Sequence, residues 1–278
     1  MTCVDSPSRQ RETLTRVCGS QYRCAHNPQD RSVRVTNADM NPDLSIVIPI
    51  YNEEGLVVNA VDELVADLAD QLPGFTYELI LTENGSTDNT RELSQGLEQR
   101  YDQVRVLHSP EPNYGRALRR GILEARGTWV ICDEIDICDL DFYQRALKVL
   151  KTEGADLVVG SKAHRDAQDE RPFSRRLGTQ VINSLLRVCV GFKGTDTHGL
   201  KSFIREPLIP VVNRCVVDKD LFASEFVIRA QRDNLRVLEI PIVIHEKRPP
   251  SIHLYRRVPH VLKNLARLTY AIRIKSRR

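Results

Sequence analysis

At 278 residues, 41% of them hydrophobic and 28% charged, the chain has enough apolar material for one α/β domain with tails and needs no disulfide or metal staple to fold. A formal net charge of +3, most of it gathered near the C-terminus, is too small to argue for a nucleic-acid partner. No run reaches the roughly 18 uninterrupted apolar residues of a membrane-spanning helix, and seven cysteines with no Cys-x-x-Cys pair and no signal peptide read as reduced thiols of a cytoplasmic protein.

Residues 1–42 are polar and aperiodic, the pattern of a mobile leader. Cys18, Cys24 and His26 lie there, and their spacing does not match the common zinc patterns. The domain, expected over 43–250, begins with the apolar strand "LSIVIP". A helix follows with apolar positions Val57, Val61, Leu64, Val65, Leu68 and Leu72, then the strand "YELILT", a helix from about Thr87 to Tyr101, the strand "VRVLH", a helix from Gly115 to Arg126, and the strand "TWVICD". Strands alternating with helices predict an α/β fold, a Rossmann-like, mostly parallel sheet flanked by helices. Beyond Thr152 come a strand "ADLVVGSK", an Arg-rich loop from His164 to Arg176, a helix from about Leu177 to Val190, the loop "GFKGTDTHGLKSF", a helix around "LFASEFVIRAQR" and a strand "RVLEIPIVI". Residues 251–278 read as a basic amphipathic helix: from His245 onward Glu246 is the single acid, and Leu254, Val258, Val261, Leu262, Leu265, Leu268, Ile272 and Ile274 fall near helical spacing. That pairing of charge and periodicity predicts either a helix lying in a lipid interface or one packed on the domain with a solvated basic face.

In a parallel sheet ligands bind beyond the carboxyl ends of the strands. The polar clusters "IYNEEG", "ENGSTDNT", "SPEPNYG" and "DEIDICD" all fall at such ends. Asp133, Glu134, Asp136 and Asp139 are crowded after the last of these strands, where they repel one another unless a cation neutralises them. All-oxygen donors point to Mg²⁺ or Mn²⁺ bridging to a substrate phosphate. Asp139 is equally well explained as the cap of the next helix. No Gly-x-Gly-x-x-Gly follows the first strand, which argues against a nicotinamide dehydrogenase.

In five segments taken in order the chain resembles glycosyltransferase family 2, with its GT-A fold, and within it the dolichol-phosphate mannose synthase and polyprenyl-phosphate glycosyltransferase branch. These are "IVIPIYNEEG", "ENGSTDNT", "CDEIDICDLDFY", "DTHGLKSF" and "LFASEFVIRAQRDNLRVLEIPI". Two depart from the family pattern: its D-x-D appears as Glu134-Ile135-Asp136, and Glu83-Asn84 replaces a pair of aspartates. The resemblance implies an inverting, metal-dependent transfer of a sugar from a nucleotide diphosphate sugar to a polyprenyl phosphate or related acceptor. A soluble hydroxyl acceptor and a non-catalytic nucleotide-sugar binder are the alternatives. It implies Pro49, Tyr51, Glu53, Ser86 and Asp133 around the nucleotide, with Glu83 or Asn84 reading the base, and Glu134 and Asp136 on the metal. Arg171, Arg175, Arg176 and Lys201 fall on the acceptor side, Arg176 foremost. Read from the residues, Asn52 caps the first helix and Ser86 a second, and Asp196 or Glu225 serves as base if the acceptor is a hydroxyl but positions groups if it is a phosphate. His198 and His245 are read as structural donors rather than ligands. Peripheral contact with the cytoplasmic face of a membrane is expected, and no nucleic acid.

Overall fold

The computed structural model describes residues 41–169, 173–219, 221–244 and 254–273. The leader to residue 40, with Cys18, Cys24 and His26, lies outside the described residues, as do Arg171 and His245. The first half alternates strictly: β1 (Leu44–Ile50), α1 (Val57–Gln71), β2 (Tyr77–Asn84), α2 (Thr90–Arg100), β3 (Val104–Ser109), α3 (Tyr114–Glu124), β4 (Trp129–Cys132) and α4 (Leu140–Thr152). Next come β5 (Leu157–Ser161), β6 (Gln168–Asp169), α5 (Phe173–Val190), β7 (Lys201–Ile204) and α6 (Arg205–Arg214). The last elements are α7 (Phe222–Arg232), β8 (Val237–Pro241), β9 (Val243–Ile244) and α8 (Leu254–Arg273).

Seven strands form one sheet in the order β3-β2-β1-β4-β7-β5-β8, with β6 and β9 paired separately. All pairings are parallel except those of β7, which runs antiparallel to both β4 and β5. Alternate residues of β1 enter opposite cores: Val47 packs toward α3, α5, α6, α7 and α8, while Ile46 and Ile48 pack toward α1, α2 and α4. Burial on both faces is why these strands read as continuous apolar runs.

Sequence pattern and structure part company at two places, and at a third the structure decides between two readings. The segment expected as a loop, "DTHGLKSF", contains β7; four residues, one of them a lysine, are too few to display a strand period. Helix α6 carries Pro210 in its interior and gave no helical signature. The C-terminal helix turns its apolar face inward: Leu265, Leu268, Ala271 and Ile272 are buried, and Leu265, Leu268 and Ile272 join the core beside α5. Those positions are spent on the domain, so the packed form of α8 is the one observed. No helix among the described residues is long and apolar enough to cross a membrane.

At the amino ends of the strands a buried carboxylate clamps three elements together. Glu78 accepts hydrogen bonds from Ser45 Oγ and the Arg126 amide (both 2.7 Å) on one oxygen, and from the Arg105 and Arg126 guanidiniums (2.7 and 2.9 Å) on the other. Burial alone would raise its pKa; the four donors together outweigh it and hold the carboxyl below its usual value. This edge fixes the sheet, and the opposite edge is left for chemistry.

Candidate active site

The loops after β1 and β2 are laced to each other before any ligand is considered. The Asn52 amide donates to Ser86 Oγ at 3.0 Å, and Asn52 Oδ1 accepts from the Thr87 amide at 2.8 Å. The Glu53 amide donates to Thr90 Oγ1 (2.6 Å), the Glu54 amide to Asp88 Oδ2 (3.2 Å), and the Asn89 amide to Glu54 Oε2 (3.1 Å). Asn52 sits at φ 56°, a left-handed conformation that asparagine tolerates better than most residues. Asn52 is therefore not the cap of α1: that helix starts after Leu56 with no side-chain cap, and the Asn52 carbonyl oxygen serves the neighbouring loop. Ser86 is likewise not a cap, because α2 begins after Asn89. Its hydroxyl stays at the rim between the two loops, beside exposed Tyr51 and half-buried Glu53. Pro49 is buried within β1, opposite Thr82 of β2.

Glu83 and Asn84 end β2, and both face inward. Glu83 is fully buried; one oxygen accepts the Ser86 amide at 2.6 Å, and the other bonds His108 Nδ1. Asn84 Oδ1 accepts the Asn113 amide at 2.6 Å, and Asn113 in turn caps α3 through the Arg116 amide at 3.1 Å. Both oxygens of Glu83, which with Asn84 was expected to read the base, are thus engaged within the protein. The side chain that reaches the surface from this pair is His108, one-third exposed. Sequence reasoning missed it. The one available signal was its place at the end of the third strand.

The acidic turn after β4 has a division of labour. Asp133 is buried, accepting from Tyr143 Oη (2.7 Å), the Glu134 amide (2.6 Å) and the Asp139 amide (3.3 Å). Burial, with Glu134 beside it, outweighs these bonds and pushes its pKa up to about 7. Asp133, expected beside the nucleotide, is buried and ties the turn together through these three donors. Asp139 caps α4 through the Phe142 amide at 2.9 Å. Between them Ile135 is buried while Glu134 and Asp136 are half-buried, so the apolar residue anchors the turn and the two carboxylates flank it. Tyr114, the first residue of α3, also belongs here. The residue is 44% exposed, and its phenol lies within electrostatic reach of Glu134, Asp133 and Asp136.

Among the described residues no three His, Cys, Asp or Glu side chains converge into a metal cage. Two flanking carboxylates are nevertheless the donor set expected for Mg²⁺ or Mn²⁺, which keep waters and take the rest of their shell from substrate phosphates. Glu134 and Asp136 fit such an ion.

Across the sheet, the loop 194–200 approaches β5 so closely that a Cβ on Gly199 would overlap the Gly160 carbonyl. Asp196 in this loop is fully buried, its oxygens accepting from the His198 amide (2.9 Å) and the Lys162 amide (3.3 Å). Glu225 is also fully buried and holds the Val216 and Val217 amides (2.8 and 2.7 Å) and Arg229 Nε (2.7 Å). Both carboxylates, read as bases for a hydroxyl acceptor, are thus engaged by backbone amides inside the protein. Lys201 lies opposite Cys132 in the β4–β7 register and is buried. Its Nζ donates to the Gly199 carbonyl at 2.7 Å; burial draws its pKa down to about 8, against the pull of Cys132, Asp196 and Glu134. It therefore couples the 194–200 loop to the acidic turn electrostatically. Arg176 is exposed in the first turn of α5, and the side chain of Arg175 lies outside the described residues.

Residues 45–209 match the model of glycosyl transferase family 2. Among curated proteins the chain is 31% identical over 215 residues to dolichyl-phosphate beta-glucosyltransferase of Drosophila melanogaster, covering 72% of this chain and 66% of that one. It is 30% identical over 216 residues to dolichyl-phosphate beta-glucosyltransferase ALG5C of Trichomonas vaginalis (73% and 64%), and 26% identical over 238 residues to glycosyltransferase AglD of Haloferax volcanii (84% and 38%). The chain thus spans between 38% and 66% of the length of these relatives. Among solved structures, glucosyl-3-phosphoglycerate synthase from Mycobacterium tuberculosis, in complex with Mn²⁺, UDP-glucose and phosphoglyceric acid, superposes with a TM-score of 0.58 at 20% identity over 82% of this chain and 80% of that one. This likeness establishes the fold as GT-A.

Proposed function

The chain belongs to glycosyl transferase family 2, and from that premise we propose that it transfers a sugar, with inversion, from a nucleotide diphosphate sugar to a polyprenyl phosphate. The observation that carries the reading is the pair Glu134 and Asp136, held half-exposed about a buried Ile135 at the carboxyl edge of the sheet, where the laced loops after β1 and β2 also end. Glu134 and Asp136 would hold the divalent ion. Once bound there, the ion supplies Lewis-acid stabilisation of the departing diphosphate.

The protein's own residues do the positioning. Tyr51, Glu53 and Ser86 form the rim for the nucleoside, and His108 presents the hydrogen-bonding group that meets the base, its tautomer set by Glu83 on Nδ1. Tyr114 lies between that rim and the acidic turn, a place for a phenol to meet the diphosphate or the sugar. On the acceptor side Arg176, with Arg171 and Arg175 in the same segment, offers planar guanidiniums suited to a phosphate. Lys201 contributes positive charge from β7, and Asp196 holds the 194–200 loop.

A phosphate acceptor is favoured over a hydroxyl by the state of Asp196 and Glu225. A phosphate oxygen is already ionised and needs no base, and the two carboxylates read as bases are both engaged in backbone hydrogen bonds. The relatives named dolichyl-phosphate beta-glucosyltransferase support the same class of acceptor. The test is incubation with labelled nucleotide sugars, Mn²⁺ and polyprenyl phosphate, followed by solvent extraction. Label entering the organic phase is expected; label confined to a new aqueous product would transfer the assignment to a soluble acceptor.

A further inference from the structure

The 194–200 loop is fixed through Thr195, every polar atom of which is engaged, by partners from β5, β8 and α5. Its amide donates to both oxygens of Glu239 on β8, at 2.8 and 3.0 Å, and its hydroxyl bonds Glu239 Oε2. A carboxylate only accepts, so the single hydroxyl proton of Thr195 goes to Glu239. Ser161 Oγ, 2.7 Å away at the end of β5, is then the donor to Thr195 Oγ1. The Thr195 carbonyl accepts from Asn183 Nδ2 of α5 at 2.7 Å. Glu239 also reaches the Asp196 amide at 3.4 Å. Gly194 leaves room for the carboxylate: a Cβ there would strike Glu239 Oε1 and the Phe192 ring.

The bond to α5 carries this clamp beyond the loop. Arg176, Gln180, Asn183 and Arg187 follow the i, i+4, i+7, i+11 spacing of one helix side. At its carboxyl end that stripe holds the loop: Asn183 donates to the Thr195 carbonyl, and Arg187 Nη2 to the Gly194 carbonyl at 3.1 Å. At its amino end Gln180 and Arg176 are exposed. Arg176 stands two turns from Asn183, about 10 Å along the same side. Asn183 is buried, and its Oδ1 finds no hydrogen-bond partner among the described residues. The orientation of its amide therefore rests on the Thr195 carbonyl, and the place of that carbonyl rests on Glu239.

We propose that Glu239 is a positioning residue for the acceptor phosphate. Its oxygens are engaged by the loop, so it acts through Thr195 and Asn183. Through them it sets the side of α5 that carries Arg176 against the loop that holds Asp196 and leads into Lys201. The parallel register of β5 with β8, from Leu157 opposite Val237 to Ser161 opposite Pro241, already seats the strand. The carboxylate is not needed for that, but only an acceptor of several donors can take the amide and the hydroxyl of one residue together. The inference rests on the phosphate-acceptor reading, to which it adds the residue that keeps the two acceptor-side elements in register.

The test compares the full chain with Glu239→Gln, Thr195→Val and Thr195→Ser, using polyprenyl phosphate, Mn²⁺ and the labelled nucleotide sugar that supports transfer. Glutamine sets a donor against the donors of Thr195, valine removes the hydroxyl, and serine keeps it. Glu239→Gln and Thr195→Val should each raise the acceptor KM about tenfold, with donor KM changed by less than about twofold. Thr195→Ser should stay close to the unaltered protein. Because the changes act through one contact, Glu239→Gln/Thr195→Val should be no worse than Glu239→Gln alone. Hydrogen exchange should show 176–187 and 194–200 losing protection together in Glu239→Gln, with the loops after β1 and β2 unchanged. A normal acceptor KM in both variants overturns the proposal, as does additivity in the double variant. So does a parallel rise of donor and acceptor KM, the result of general loosening. If Glu239→Gln does not fold, Thr195→Val and its serine counterpart decide alone. An unaltered protein that never labels polyprenyl phosphate defeats the acceptor reading and this role with it, whereas a normal acceptor KM in the variants leaves that reading standing.

Discussion

Glu78→Gln separates what holds this sheet together from what the site needs. In the protein, one carboxylate oxygen collects Ser45 Oγ and the Arg126 amide, and the other collects two guanidiniums. A glutamine amide keeps one acceptor and turns the other into a donor facing donors. Breaking a buried ion pair from one side costs about 3 to 5 kcal/mol. Here the cations stay partly solvated, with Arg105 28% and Arg126 48% exposed, and screening lowers the expectation to about 2 to 3 kcal/mol. At roughly 2 to 4 °C per kcal/mol for a domain of this size, Tm should fall by about 5 to 10 °C. The pH dependence has a definite sign. The carboxyl is held below its ordinary value of 4.5 in the folded state, so its contribution is fully present above that value and fades as pH drops through the lower folded pKa. Urea unfolding of both proteins should therefore show a constant gap above about pH 5 that narrows toward about pH 3. Because Glu78 lies at the amino ends of the strands, nucleotide affinity should not change. A gap below about 0.5 kcal/mol at neutral pH, or one that persists undiminished in acid, would refute the reasoning.

Asp136→Asn should lower metal-supported transfer by about two orders of magnitude or more while leaving thermal unfolding within a few degrees, measured with Mn²⁺ in excess. His108→Ala should reduce discrimination among nucleoside diphosphates about tenfold by calorimetry, with His108→Asn retaining part of it. Arg176→Ala should raise the acceptor KM about tenfold at unchanged donor KM, whereas Asp196→Asn should leave the shape of the pH–rate profile unaltered because no proton passes through it. Gly199→Ala should cost about 2 kcal/mol or more in stability, since the new Cβ meets the backbone of Gly160 and not a movable side chain.

The parallel half of the fold was legible because β1, β2 and β4 are buried on both faces and read as apolar runs, and because α1, α3 and α4 each show an apolar stripe. The second half was harder to read for local reasons. Strand β7 is too short to carry a period, and α6 holds a proline. The inward face of α8 looks the same in sequence whether lipid or protein covers it. At the site, the spacing of Glu134 and Asp136 about Ile135 was readable, since a buried residue between two polar ones on a strand-end turn leaves both polar side chains outside. What sequence could not convey was which carboxylates are already committed. Asp133, Asp196 and Glu225 look as available in sequence as Asp136, and it is their burial and backbone hydrogen bonds that distinguish them.

The exchange of Glu83-Asn84 for an acidic pair has a structural logic of its own. Glutamate is one methylene longer than aspartate, and β2 and β3 place Glu83 directly opposite His108, so the longer side chain reaches the imidazole within the sheet end. Glu83 is thereby fully buried, and the imidazole, one-third exposed, is the part of the pair that reaches the surface. If His108 meets the base of the donor as proposed, that contact falls on a side chain outside the motif whose resemblance pointed to the base, because the motif's own carboxylate is engaged within the sheet end.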